Sequence, residues 1–507
     1  MRHQPLPRLL GIATVACLAA CAAAPPPLDE ADLGLDLPSS WTSVAPTETA
    51  PTSQGEPSRG EPTQGEPPGG SEGIHEAWWR DFGDGKLDEL VDAALTNNRD
   101  LRAALARLDA AAANRTIAGA AGWPEADVDL DSQRARRLFL GFPFGGGGIP
   151  SSTTTTFGLS LSLRWELDLW GRVRAGESAA IADLQATAAD VAGARLSLAA
   201  QACKAWFAAI EASQQLALAE ATATAFRATT DDVRDRYRRG LRPALEVHLA
   251  AANLANAQAA VAQRRDLLQR AKRQIDLVVG RYPRGLATTT TMPGKLPNVP
   301  TGLPSELLQR RPDLVAAERR LAAAGCRVDV AKASLYPRLS LTGSAGTSSE
   351  DLENLVDNDF RVWSVGANLL QPLLRGGALR AEVVRRQAQR AESIAIYGGA
   401  VLRACAEVED TLATDVQIAA RRSSLALASE HARSARDLAR ERWQLGLTDF
   451  LAVADGQRQA FQAESALISI DRQRVENRID LFLALGGSFG RPAPVRKTED
   501  PAARTQP

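Results

Sequence analysis

Three aspartates, Asp127, Asp129 and Asp131, alternate with apolar residues and are candidates for binding a metal ion. Carboxylate oxygens are the ligands that hard cations such as Ca²⁺ prefer. In a β-strand, however, residues two apart lie on one face, so the same spacing predicts the water-facing side of a strand. We adopt the strand interpretation, because it also accounts for the apolar residues between the aspartates.

Other reactive residues show no catalytic or metal-binding pattern. The histidines, which lack the spacing of metal ligands, are His3, His75, His248 and His431. The cysteines beyond residue 21, which lie among alanines in helical patterns typical of packed small residues, are Cys203, Cys326 and Cys405. A glycine run at residues 145–148 precedes neither a lysine nor a helix start, which favours a flexible loop over a phosphate-binding loop. Without a nucleophile beside a base, the sequence argues against an enzyme and against a metal or other bound cofactor. The net charge of −1 gives no indication of a nucleic-acid partner.

Cys21 ends a different kind of segment. Residues 1–20 have the arginines and the short apolar run of a secretory signal peptide, which is too short to span a bilayer. Residues 18–21 read LAAC and resemble the lipobox of bacterial lipoproteins. This resemblance implies that Cys21 carries a covalent lipid in the mature protein, and Ala22 after it points to the outer membrane. The alternative is an ordinary signal peptide followed by a chance cysteine.

Three segments have the composition of connections rather than of folded elements. Residues 21–73 are rich in Pro, Gly, Ser, Thr and Glu, contain repeated Gly-Glu-Pro units, and are predicted to be a tether between the lipid and the folded body. Residues 281–304 are predicted to link the two halves of the chain, and residues 488–507 to form a disordered tail.

The stretch 157–174 joins a strand to a long helix. The residues that alternate as one apolar face are Phe157, Leu159, Leu161, Leu163 and Trp165. After residue 171 the pattern becomes helical for about 65 residues, with small and apolar residues spaced by sevens as in a coiled coil. At 1.5 Å per residue, such a helix is about 100 Å long.

This plan occurs twice, in residues 74–280 and 305–487. Residues 98–101 recur as 311–314, and the turn glycines Gly240 and Gly280 recur at equal spacing as Gly446 and Gly486. Each half is predicted to contain a helix, a β-hairpin, a long helix, a turn and a returning helix. The hairpins are expected at residues 125–169 and 338–372, the first helix at residues 86–121, and the first returning helix at residues 244–279.

Four amphipathic strands per chain predict an oligomer. An open sheet edge is not stable in lipid, and the smallest transmembrane barrels have about eight strands. Two chains would supply eight strands and three would supply twelve, so the strands must join across chains. The long helices would then line a common tube.

Residues 307–318 (LLQRRPDLVAAE) resemble the signature of TolC-like outer-membrane efflux lipoproteins, as do residues 165–172 (WELDLWGR) and 371–374 (QPLL). The resemblance runs from about Trp78 to Gly487 and leaves open only the route of the tether. It implies a mainly α fold with a small β part. In this fold a homotrimer forms a long coiled-coil helical barrel, and each chain gives four strands to a twelve-stranded transmembrane β-barrel.

The same resemblance implies the exit duct of a tripartite efflux system, lipid-anchored in the outer membrane and extending into the periplasm. Its partners would be outer-membrane lipid, a periplasmic adaptor protein and an inner-membrane transporter of the resistance-nodulation-division (RND) class. The duct would export drugs or other small toxic compounds and catalyse nothing. The alternatives are a type I protein secretion duct, which the lipobox disfavours, and a structural coiled-coil lipoprotein without a conduit, which has no use for two hairpins.

By resemblance, the two helix turns are periplasmic tips. The residues expected to contact the adaptor are Tyr237, Gly240, Leu241, Trp443, Gly446 and Leu447. Leu451 and Asp455, four apart on one helix face, match the positions that close related ducts. Three copies of Asp455 around an axis would favour cations, and Leu451 would add an apolar constriction. The alternatives are ordinary turn residues, a solvated aspartate and a packing leucine.

Overall fold

The computed structural model describes residue 41 and residues 77–138, 151–287, 291–299 and 310–487. Cys21, the predicted signal peptide, the predicted C-terminal tail and all of the predicted tether except Trp41 lie outside the described residues. The chain divides into two compact units. The strand unit comprises Ala113–Ala182 and Ala322–Arg390, and the helix unit comprises the described residues of Pro27–Ala112, Asp183–Leu321 and Ala391–Pro507.

The order of elements repeats the plan predicted from the sequence. In chain order they are α1 (Gly85–Asn97), α2 (Arg99–Ala120), β1 (Glu125–Leu138), β2 (Ser151–Leu167), α3 (Arg172–Arg238), α4 (Ala244–Val279), α5 (Pro312–Ala333), β3 (Arg338–Ser349), β4 (Arg361–Leu370), α6 (Ala378–Gln444) and α7 (Phe450–Ala484). Short 3₁₀ helices occur at Trp78–Phe82, Leu352–Val356 and Asn358–Phe360. Helices α3 and α6 each contain 67 residues, which confirms the repeat of the long helix. None of the helices in the described part of the chain combines the length and the apolar character needed to cross a bilayer.

The four strands form one antiparallel sheet in the order β1-β2-β3-β4. Cross-strand partners lie on the same face, so the character of each face can be followed along the rows across the sheet. One apolar row is Val128, Leu161, Ala345 and Trp363, and the adjacent polar row is Asp127, Ser162, Ser344 and Ser364. The sheet therefore has an apolar and a polar face, and the three aspartates of β1 lie on the polar face as predicted. Within the described residues, no cluster of three or more His, Cys, Asp or Glu side chains is arranged to bind a metal ion.

Asp168 fixes the junction between β2 and α3. Its carboxylate oxygens accept hydrogen bonds from the backbone N–H groups of Val173 (3.0 Å) and Arg174 (2.9 Å), which otherwise lack partners in the first helical turn. Arg172 makes a two-pronged ion pair with Glu166, at 2.8 and 3.0 Å. These contacts explain Glu166, Asp168 and Arg172 of the 165–172 motif, because they set where the strand ends and the helix begins.

The prediction of one continuous helix over residues 86–121 is wrong, because the structure has two helices there, α1 and α2. They are divided at Asn98, whose Oδ1 accepts hydrogen bonds from the backbone N–H groups of Asp100 (2.9 Å) and Leu101 (3.0 Å) and so begins α2. The Asn98 amide also donates to the Val278 carbonyl at the end of α4, at 2.8 Å. We call this contact the first clasp. The side chain of Asn98 thus replaces the backbone hydrogen bonds that a continuous helix would make.

Arg311 makes the matching contact in the second repeat. This buried guanidinium donates to the Ala484 carbonyl at the end of α7 (3.1 Å), to Glu407 (2.7 Å) and, as a fork, to both carboxylate oxygens of Asp313 (2.8 and 3.1 Å). We call this network the second clasp. Burial acts to raise the pKa of the Asp313 carboxyl, but the hydrogen bonds and charge of Arg311 outweigh it and leave that pKa below its ordinary value. Through Arg311, the 307–318 motif therefore hydrogen-bonds to the C-terminal end of α7.

Gly280→Ala is expected to destabilise the protein by about 3 kcal/mol, through a left-handed backbone and overpacking together. Gly280 has φ 82°, and a Cβ there would lie 2.7 Å from the Asn97 carbonyl oxygen. The matched control is Gly83→Ala, with φ 68° and no atom within 4 Å of the added carbon, which should cost about 1 kcal/mol. Thermal unfolding followed by circular dichroism measures both variants, and equal losses would contradict the close approach.

The core of the helix unit joins residues of both repeats. Trp78 is fully buried and stacks on Phe482 with 4.8 Å between ring centroids, and Phe82 contacts Phe207 at 5.3 Å. Trp41 belongs to the same cluster and is only 6% exposed. Its position in a polar, Pro-rich stretch is a signal for an anchoring contact, because a large apolar ring gains most from burial.

Candidate functional site at the helix turns

The turns between α3 and α4 and between α6 and α7 have the same backbone geometry. Gly240 has φ 72° and Gly446 has φ 77°, a left-handed conformation that glycine adopts without strain. In the first turn, Gly240 N–H donates to the Tyr237 carbonyl and Leu241 N–H to the Arg236 carbonyl, at 2.8 and 2.9 Å. The second turn has the equivalent pair of bonds from Gly446 and Leu447, at 3.1 and 2.8 Å. Each helix therefore ends in a Schellman motif, and each glycine sets the direction in which the next leucine points.

The two turns present apolar side chains to solvent. Leu241 is 66% exposed and Leu447 is 65% exposed, and half of the Tyr237 side chain is also accessible. Unsatisfied apolar surface at the end of a helical hairpin is typical of a contact site for another protein. Five of the six predicted contact residues thus lie where a partner can reach them.

Trp443 differs from the other five, because it is only 1% exposed. It packs in a small cluster with Val233, Phe450 and Val453, and its ring meets that of Phe450 edge to face at 6.3 Å. Its side chain therefore offers no surface for a direct contact. It instead holds the end of α6 against α3 and α7, which positions the exposed residues of the second turn.

Arg236 connects the first turn to the second. Its guanidinium carbon lies 4.3 Å from the centre of the Trp443 ring, at cation–π distance. The same group donates to the carbonyls of Trp443 (3.5 Å) and Gln444 (3.4 Å), the last residues of α6. The helix C-terminus is the end at which a cation is stabilised. Sequence reasoning did not assign Arg236 this role, since its partners lie about two hundred residues away.

The predicted gate residues lie on the first turns of α7. Leu451 is 65% exposed and Asp455 is half-buried. The Asp455 carboxylate is bound by Arg458 through one oxygen and by Gln459 through the other, the latter at 2.6 Å. Arg458 therefore offsets the negative charge that the sequence analysis assigned to this position. Its spacing of three residues from Asp455 was a signal that could have been used.

A groove of about 430 Å³ runs beside these gate residues, between α3, α4 and α7. The aromatic residues that line it are Phe226, Phe450 and Phe461. Leu451, Asp455 and Arg458 line the same groove. The two predicted gate residues thus lie at a groove between α7 and the first helical hairpin.

The sequence profile of the outer membrane efflux protein family matches residues 90–281 and 303–487. The chain belongs to this family. Its two matched segments correspond to the two repeats.

Relatives and solved structures agree with the family. The pyoverdine export outer membrane protein OpmQ of Pseudomonas aeruginosa is 30% identical over 493 residues, which cover 93% of this chain and 95% of OpmQ. The toluene efflux pump outer membrane protein TtgF of Pseudomonas putida is 30% identical over 417 residues, or 81% of this chain and 85% of TtgF. The solved outer-membrane channel OprN is similar with a TM-score of 0.77 and 30% identity, covering 82% of this chain and 93% of that one. This outer membrane efflux protein therefore has a TolC-like fold, acts as a non-enzymatic channel, and extends from the outer membrane into the periplasm.

Proposed function

We propose that three copies of this chain assemble into the exit duct of a tripartite pump that exports small toxic compounds. The observation that supports this proposal best is the sheet. Within the described residues, β1 and β4 are edges, and the sheet has one apolar and one polar face. Open edges are not tolerated in lipid, so strands of neighbouring copies must pair until the sheet closes. Three copies give a closed sheet of about twelve strands, which encloses a water-filled lumen.

The partners follow from the family and from the exposed turns. We infer that a periplasmic adaptor contacts Tyr237, Gly240, Leu241, Gly446 and Leu447, with Trp443 and Arg236 positioning the second turn. An inner-membrane transporter of the RND class would supply the energy. Purification of the tagged protein after crosslinking in cells tests this assembly: adaptor and transporter should copurify, and recovery of the protein without either would contradict it.

The substrates are proposed to be small molecules rather than proteins. The names of the relatives support this, because one is a pyoverdine exporter and another belongs to a toluene efflux pump. We also propose that Cys21 carries the lipid anchor, on the strength of residues 18–21. Deletion of the gene should increase sensitivity to solvents, dyes or antibiotics. Unaltered sensitivity together with loss of a secreted protein would favour the type I secretion alternative.

Asp455→Ala is expected to raise single-channel conductance by roughly a factor of two, because it removes side chains from the narrow opening that we propose for α7. It should also shift ion preference toward anions, since Arg458 would lose its ion-pair partner. Planar-bilayer recordings of the purified protein measure both quantities.

Two further variants distinguish a gate from a solvated residue. The double variant Asp455→Ala with Arg458→Ala removes both charges, so it should keep the higher conductance without the anion preference. Glu430→Ala removes an exposed carboxylate from α6 and should leave conductance unchanged. If Asp455→Ala conducts like the wild type and with the same ion preference, the gate assignment is wrong.

A further inference from the structure

The end of α4 carries an excess of positive charge that the chain as a whole lacks. The complete sequence has 59 basic and 60 acidic residues. In residues 264–284, by contrast, seven arginines or lysines accompany only Asp266 and Asp276. Three of these charged groups take part in two ion pairs at the surface, Arg265 with Glu220 of α3 and Arg270 with Asp266. The remaining cations are concentrated toward the end of the segment.

Three of these cations surround one turn, and we call Arg273, Arg281 and Arg284 the basic cluster. All three are exposed, and none makes an ion pair with the residues that the structure describes. Arg281 and Arg284 line a cavity of about 480 Å³. Arg273 lies beside Gly285, at the same turn. Two arginines of the cluster therefore border a concave surface, and the third lies on α4 beside the same turn.

The turn that presents the basic cluster is held in one conformation. Gly280 and Gly285 both have positive φ, 82° and 70°. Arg281 N–H donates to the Asp276 carbonyl at 2.8 Å, and Gly285 N–H donates to the Asp276 carboxylate, also at 2.8 Å. Asp276 thus stabilises the backbone of the turn. The guanidinium groups project from a backbone that is organised before any ligand arrives, which reduces the entropy lost on binding.

The second repeat shows that the fold does not require the basic cluster. Gly486 makes the same left-handed turn as Gly280, with φ 87°. At the position equivalent to Arg273, α7 has Ile479, which is fully buried, and at the position equivalent to Arg281 it has Gly487. Equivalent turns therefore form with and without arginines at these two positions.

Tyr282 and Leu286 give the same surface an apolar component. Tyr282 is 80% exposed, and both residues line the cavity with the arginines. Guanidinium groups bind carboxylates and phosphates through paired hydrogen bonds. An exposed phenol ring adds a flat face against which a sugar ring can pack. The combination suits a ligand that has carboxylates beside sugars.

We propose that this surface binds the peptidoglycan of the cell wall. Peptidoglycan is the polymer of the periplasm that carries free carboxylates on peptides attached to its sugars. The inference depends on the extension of this protein into the periplasm and not on the proposed adaptor contacts or gate. The channel would thereby be held laterally where it passes the wall.

Co-sedimentation of the purified full-length protein in detergent with isolated peptidoglycan sacculi tests the proposal. Replacing all three arginines of the basic cluster with glutamine should weaken apparent binding roughly tenfold, which is about 1.4 kcal/mol. The matched control replaces the exposed α2 residues Arg99, Arg102 and Arg107 with glutamine and should bind like the wild type. Amidation of the sacculus carboxylates should abolish the difference between the variants. Added salt should also weaken binding, because about 0.1 M salt screens charges beyond roughly 10 Å.

Three results would overturn the proposal. One is sedimentation of the cluster variant equal to that of the wild type. Another is an equal loss in the α2 control. The third is arginine-dependent binding to vesicles of phosphatidylethanolamine and phosphatidylglycerol without binding to sacculi, which would assign the cluster to lipid phosphates. Single-channel conductance of the variants should match that of the wild type. Conductance therefore tests the proposed channel, and sedimentation tests the proposed wall binding. Should the triple variant not fold, Arg281→Gln and Arg284→Gln alone should each weaken binding measurably.

Discussion

Replacing Gly240 or Gly446 with valine is expected to abolish drug efflux while the trimer persists. Both glycines have φ above 70°, and a β-branched residue is a strong outlier in that region. The turn would therefore rebuild its backbone, and Leu241 or Leu447 would leave the position fixed by the Schellman bonds. No atom lies within 4 Å of a Cβ added at either glycine, so the disturbance stays within the turn. Drug-susceptibility assays and native gels measure the two outcomes.

Gly83→Val is the matched control for this prediction. Gly83 also has positive φ (68°) and no atom within 4 Å of an added Cβ, but it lies after the Trp78–Phe82 helix rather than at a tip. This variant should retain efflux. Asparagine tolerates left-handed backbone better than valine does, so Gly446→Asn should retain more efflux than Gly446→Val. Full drug resistance in cells carrying either valine variant at the tips would remove the adaptor assignment.

Arg311→Met is expected to destabilise the protein by about 2 kcal/mol, the usual cost of leaving a buried acceptor such as the Ala484 carbonyl without its donor. The side chains of Asp313 and Glu407 are 56% and 55% exposed, so water can replace the guanidinium at these carboxylates. Arg311 satisfies Asp313, Glu407 and the Ala484 carbonyl at once. Methionine fills a similar space but donates no hydrogen bond, so these acceptors would lose their partner. Thermal unfolding in detergent and trypsin digestion of α7 should both report the loss.

Two other variants separate the ion pair from packing. Arg311→Lys keeps the charge but not the fork of donors, so it should lie between the wild type and Arg311→Met. Arg270→Met breaks a surface pair with Asp266, whose side chains are 71% and 52% exposed, and should cost less than about 1 kcal/mol. An Arg311→Met protein as stable as the Arg270→Met protein would refute the role of the second clasp.

Local periodicity was sufficient to predict most of the fold. The returning helix predicted over residues 244–279 has those bounds in the structure, because Pro243 and Gly280 mark its ends through their own backbone preferences. The strand faces followed from alternation alone, as the rows through Asp127 and Val128 confirm. The break at Asn98 was missed because its cause is partly a contact with Val278 on another helix.

The candidate site was less accessible to sequence reasoning. Motif likeness gave the turn and gate positions, but it could not distinguish buried Trp443 from exposed Leu447. Burial of Trp443 depends on Val233 and Arg236, which belong to the other repeat. Contacts between residues so far apart in the chain leave no periodic signal. Arg458 is the exception, since its position three residues after Asp455 was visible from the start.

Each clasp donates a hydrogen bond to a carbonyl at the end of a returning helix, but only the second clasp contains titratable groups. The two repeats should therefore respond differently to acid. Asn98 has no titratable group. Asp313, with its pKa lowered in the fold, stabilises the second repeat at pH values above its ordinary pKa of about 3.9, and that contribution is lost as the pH falls through the lowered value. Strong acidification should therefore loosen α7 at Ala484 while α4 stays fastened at Val278. The two repeats of each chain, which share one order of elements, would then begin to unfold at different pH values, the second repeat before the first as the pH falls.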